Sequence, residues 1–175
     1  MGYLGIQNYN PNSYRDIHLF NFHANSLFSN LTNRLFQGYY ILTNQNNEFC
    51  SQSPIVIIID DLFFEISTVQ DEEISLTLNT VNLKSQINWN DENSYKWYKS
   101  GIKILDDLVG LEITSIKIIG LEYGEIGRAI HGILFDFIKE NQNHQVLIRT
   151  NYDEISILPF NEDTSIEPKI ILNCL

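Results

Sequence analysis

The sequence predicts a mainly β fold with a minor α component: an antiparallel β-sandwich or curved half-barrel with one to three short helices. Two observations carry this. Ile55 to Ile59 is an unbroken β-branched run, too short for a membrane span and suited to a central strand. Downstream, Ile74, Leu76 and Leu78 alternate with Ser75, Thr77 and Asn79, the period of a half-buried strand. Acidic turns separate these runs, Asp60-Asp61 at one end of the meander and Asp71-Glu72-Glu73 at the other.

The remaining elements follow in chain order. Residues 1–16 are rich in Asn, Tyr and Ser around Pro11, which suits an irregular start. Ile17, Leu19 and Phe22 suggest a weak strand. Asn25-Ser26 would cap a helix carrying Leu27, Phe28, Leu31 and Leu35, ended by Gly38. Tyr39 to Thr43 resumes extended structure. Short helices are expected over Ser94–Ser100 and Ile102–Leu108, then a strand over Leu111–Ile119 and a Gly-rich loop at 120–127. Ile130–Ile138 and Gln145–Thr150 would form a hairpin across Glu140 to Asn143. Ile155–Leu158 adds a strand, and the tail Ile166–Leu172, with Pro168, suits an edge.

One domain spanning 1–175 is expected, with possible pseudo-repeated halves 25–83 and 101–160 joined by a polar connector, 84–100. Leu35 to Ile41 can be laid on Leu108 to Ile113. Ile66-Ser-Thr68 matches Ile148-Arg-Thr150, and Glu73-Ile-Ser75 matches Glu154-Ile-Ser156. The acidic turns 71–73 and 153–154 would then be equivalent.

Composition narrows function by exclusion. A hydrophobic content of 43% argues for a folded chain despite a net charge of −11. Met1 to Ile6 lacks the basic region of a signal peptide, and no apolar run approaches a membrane span. Cys50 and Cys174 have no metal-type spacing and suit reduced cytoplasmic thiols. An acidic chain is a poor partner for nucleic acid or an anionic membrane, and favours a basic partner.

No catalytic, metal or cofactor motif stands out. His18 and His23 are spaced neither as a helical nor as a strand zinc pair, and His131 sits in an apolar strand. There is no nucleophile elbow. Gly120, Gly124 and Gly127 do not match the dinucleotide fingerprint, and Glu122 and Glu125 would repel phosphate. The paired acids sit in solvated turns, where a carboxyl keeps its ordinary pKa. The chain therefore reads as a non-enzyme without a cofactor.

What remains is charge. Between Glu48 and Glu92 lie nine acids and one base, Lys84, so most of the net −11 is concentrated there. Asp60, Asp61, Asp71, Glu72, Glu73, Asp91 and Glu92, flanked by Trp89, Tyr95 and Trp97, form the candidate partner-binding set: carboxylates steer an encounter and aromatics anchor it. The plainer alternative is a solvated face with Trp89 and Trp97 in the core.

A small, acidic, β-rich chain of this kind resembles, as a class, the immunity proteins of contact-dependent or polymorphic toxin systems in bacteria. The Trp- and Gly-centred signature of the SUKH-type group is not visible. The resemblance implies binding of a cognate toxin domain, often a basic nuclease, with Asp and Glu standing in for substrate phosphates; the chain itself is expected in the cytoplasm, its oligomeric state open with a monomer favoured. The alternatives are a small-ligand-binding β-barrel or sandwich, with Phe63, Phe64, Trp89 and Trp97 lining its pocket, and an assembly subunit joined through strand edges.

Overall fold

The computed structural model describes residues 3–12, 17–69, 73–85, 87–88, 94–123, 127–160 and 169–173. Within them lie helices α1 (Ile17–Phe28) and α2 (Lys103–Asp106). The first five strands are β1 (Arg34–Thr43), β2 (Ile55–Ile59), β3 (Leu62–Val69), β4 (Glu73–Leu78) and β5 (Lys96–Lys99). The second five are β6 (Glu112–Tyr123), β7 (Gly127–Lys139), β8 (Gln142–Asn151), β9 (Glu154–Pro159) and β10 (Lys169–Asn173). Every pairing is antiparallel, and the main path reads β4-β3-β2-β1-β6-β7-β8-β9, with β5 on the far edge of β1 and β10 on the far edge of β6. The sheet does not close into a barrel. Instead β4 packs across β7 and β8, and β3 across β9, so the two halves face each other with the core between.

The same connectivity therefore occurs twice. A four-strand meander is followed by a fifth strand that returns to the outer edge of the first. The two units meet where Leu35 of β1 pairs with Glu112 of β6. Register matches at the far hairpins: Thr68 faces Ile74 in β3–β4, and Thr150 faces Ile155 in β8–β9. At the first strands the sequence pairing is displaced. The inward residues are Phe36, Tyr39 and Ile41 in β1, and Ile113, Ile116 and Ile118 in β6, each series interrupted by a bulge. Gly38 thus lies inside β1 at φ +141°, a conformation other residues resist, whereas Gly110 precedes β6. The polar connector expected over 84–100 contains a strand, β5.

Two local expectations are corrected. The helix lies earlier than the Leu27/Leu31/Leu35 series suggested. Phe20, Ala24 and Phe28, four residues apart, form the buried stripe of α1, where a weak strand was expected, and Leu35 is half-exposed on β1. Residues 96–99 are a strand rather than part of a helix, because Trp97 and Tyr98 alternate between the two faces beside Leu42 and Ile41.

A chain of rings links helix and both half-sheets. Phe28 meets Phe64 at 5.9 Å between ring centres, Phe64 meets Phe135 at 6.4 Å, and Phe36 meets Phe137 at 5.7 Å. The void beside these rings is only ≈ 10 Å³, lined by Phe36, Ile57, Leu105 and Val146 among others, so the interior is filled by side chains. A second, outer layer covers the first unit. Ile6, Tyr9 and Val81 pack on Leu42 and Val56 of its outer face, so Val56 is buried although it points away from the main core.

One half-buried titratable group adds a pH dependence. His131, in β7, is pushed down to about 4 by burial and then by the Arg149 cation, and its Nε2 lacks a hydrogen-bond partner among the described residues. The folded value lies below the ordinary 6.5. Stability is therefore whole above that pH and is lost as pH falls toward 4, because the unfolded chain takes up a proton that the folded one resists. The urea midpoint is expected to drop between pH 7 and pH 4.5, and His131→Gln should flatten part of that drop. An unchanged slope in the variant would remove His131 as its source.

Candidate partner-binding surface

The acids singled out from sequence do not share one rim. Asp60 and Asp61 form the β2–β3 turn, while Glu73 opens β4 at the opposite end of β3. β3 has eight residues; at ~3.3 Å per residue the two ends are about 23 Å apart. Asp60 is engaged with Arg34 through a 3.2 Å ion pair, both side chains partly exposed, and such pairs add little stability. Asp61 is exposed. Asp71, Glu72, Trp89, Asp91 and Glu92 lie outside the described residues, as does the side chain of Glu73.

Another acid of the same stretch has a structural task. Glu65 is 0% exposed on the outer face of β3. Its carboxylate accepts hydrogen bonds from the Thr80 N–H at 2.8 Å, the Thr80 hydroxyl at 3.0 Å and the Val81 N–H at 3.0 Å. It thereby pins the segment that carries Val81 onto the outer layer, and its charge is not available to a partner. Tyr9 donates nearby to Ser67 at 2.9 Å, and burial raises its hydroxyl pKa. Of the aromatics, Trp97 and Tyr95 are half-buried, and Trp97 packs against the outer cluster with Leu42 and Val56.

The structure instead brings acid and an exposed aromatic together at the far end of the two meanders. Thr68, at the end of β3, donates from its hydroxyl to the Asp153 carbonyl at 2.9 Å, and Tyr3 donates to the Thr68 carbonyl at 2.9 Å. The first bond fastens the end of β3 to the β8–β9 turn of the other unit, and the second ties the N-terminal segment to the same place. Burial, and after it the Asp153 charge, raises the Tyr3 hydroxyl pKa. In the β8–β9 turn, Asp153 and Glu154 are exposed, and Tyr152 projects 75% exposed at φ +57°.

Left-handed backbone is costly for an aromatic residue, and Gly, Asn or Asp serve such turns better. Tyr152 was missed in the sequence because its turn, Asn-Tyr-Asp-Glu, reads as ordinary hairpin chemistry. The available signal was an aromatic at a position where a turn prefers Gly or Asn.

Among the described residues, no group of three His, Cys, Asp or Glu is placed to hold a metal ion, and no helix is long and apolar enough to cross a membrane. The described residues line open grooves, two of which are of similar size. One, of ≈ 340 Å³, lies between α1 and β4 and is lined by His23, Ser26, Leu76 and Thr77. The other, of ≈ 330 Å³, lies between α2 and β8 and is lined by Ile104, Leu108, Lys139 and His144. Compared with known proteins, the chain matches no family model, no curated protein and no solved structure.

Proposed function

We propose that this protein is a binding protein of the immunity type, which neutralises a basic toxin domain, of which a nuclease is one kind, in the cytoplasm by docking rather than by chemistry. The observation that carries the reading is the β8–β9 turn. An exposed Tyr152 in a strained backbone conformation sits beside exposed Asp153 and Glu154, at the end where the acidic hairpin β3–β4 is fastened. Backbone strain is held in place by the surrounding structure and clusters at functional sites, and an exposed aromatic ring at such a turn position is what marks this one. Carboxylates there would occupy the places that substrate phosphates take in a nuclease, and Tyr152 would supply the anchor.

The filled interior weighs against a ligand held between the sheets, since ≈ 10 Å³ admits no more than a water. Of the acids singled out from sequence, Glu73 belongs to this end, while Asp60 and Asp61 belong to the other. The test is titration with the protein encoded next to this chain's gene, at ~50 mM and ~500 mM salt. Binding that weakens at least tenfold at high salt is expected. No binding, or binding indifferent to salt, would contradict the reading.

A further inference from the structure

The stretch Ser94 to Leu105 carries Lys96, Lys99 and Lys103 and no acid, in a chain whose net charge is −11. It is built around β5, an edge strand. Ser100 donates from its N–H to the Tyr39 carbonyl, and Cys50 to the Leu42 carbonyl on the other side of β1, so Ile41 and Thr43 face β5. Their register partners are Tyr98 and Lys96. The N–H and C=O groups of Trp97 and Lys99 therefore point away from β1, and among the described residues no other strand pairs with them.

Lys96 and Lys99 are exposed, as is Lys103 on α2, and Tyr98 is 46% exposed. Because Lys96 and Lys99 are three residues apart, they project from opposite faces of the strand. The Lys99 stem passes over Gly38, where a Cβ would stand 3.4 Å from its Cε, so the missing side chain leaves its path open.

Lysines on a short edge strand repel another edge of the same kind. They do not repel an acidic one. The edge lacks the two stronger guards found on β9, where Ser51 accepts from the Ile155 N–H at 2.7 Å and Pro159 interrupts the donor row.

From the free backbone row, the paired lysines and the exposed Tyr98, we infer that β5 is a strand-addition site for an extended acidic segment of a partner protein. Its carboxylates lie three residues apart, opposite Lys96 and Lys99. Backbone bonds to Trp97 and Lys99 supply the affinity, and the two charges set the register. The site is separate from the Tyr152 end and does not rest on the function proposed for that end.

The test uses the full chain and a blocked synthetic peptide, Val-Glu-Thr-Val-Glu-Thr, with residue-resolved amide exchange as the readout. At saturation, exchange at Trp97 and Lys99 should slow at least tenfold, while Tyr98 and Lys96, already bonded to β1, should change little. The same peptide with Lys for Glu should bind at least tenfold more weakly. Lys99→Ala should cost a few-fold and lessen the salt dependence. Lys99→Pro, which removes only an outward-facing donor from the ladder, should cost clearly more than Lys99→Ala. Failure to saturate at millimolar peptide, equal binding of the lysine peptide, protection away from Trp97 and Lys99, or equal effects of Pro and Ala at Lys99 would each overturn the proposal.

Discussion

Phe64→Ala is expected to destabilise the protein by about 3–5 kcal/mol, the usual range for deleting a fully buried ring. Phe64 is completely buried at the middle of the ring chain, touching Phe28 of α1 and Phe135 of the facing half-sheet. Neither neighbour can move in to fill its place, because each belongs to a different element, and a cavity would open against both. The measurement is the urea midpoint at fixed m-value, with Phe64→Leu as a milder comparison that keeps most of the volume. A loss under about 1 kcal/mol would mean that the helix and the two half-sheets do not share the core described here.

Substitutions at Tyr152 should move stability and binding in opposite directions. Tyr152→Asn leaves the turn intact and relieves left-handed strain, so stability should rise by about 0.5–1 kcal/mol. If the ring is the anchor of a docked partner, the same change should weaken binding by about 2 kcal/mol, roughly thirtyfold. Thermal unfolding and a partner titration on one variant read both effects. Unchanged affinity with raised stability would leave Tyr152 as strain without a purpose, and the functional reading would lose its anchor.

Much of the strand content was legible because it rests on local pattern. The run Ile55 to Ile59 and the alternation Ile74/Leu76/Leu78 needed no tertiary information to read as strands, and the hairpin expected across Glu140 to Asn143 is present, its turn shortened to Glu140-Asn141, both at positive φ, because β8 already begins at Gln142. The misplaced helix was a choice between two overlapping periodic series. Leu27/Leu31/Leu35 and Phe20/Ala24/Phe28 share a helical spacing and both reach the core, but the chain turns after Phe28, with Asn33 at φ +59°, and Leu35 falls on β1. β5 was unreadable locally because a four-residue strand exists only through its partner β1. The site was less legible than the fold. Charge density along the chain does not reveal that eight residues of β3 separate Asp60-Asp61 from Glu73, or that Glu65 points into a covered layer. Nor does it reveal that the β8–β9 turn, distant in sequence, is fastened beside the end of β3.

The central claim is tested most directly by two charge reversals at opposite ends of the molecule, each titrated with the basic partner domain. Asp153→Lys with Glu154→Lys should weaken binding at least thirtyfold at low salt, whereas Asp61→Lys should change it less than threefold. Equal losses from both, or a greater loss from Asp61→Lys, would contradict the placement of the docking surface at the Tyr152 end.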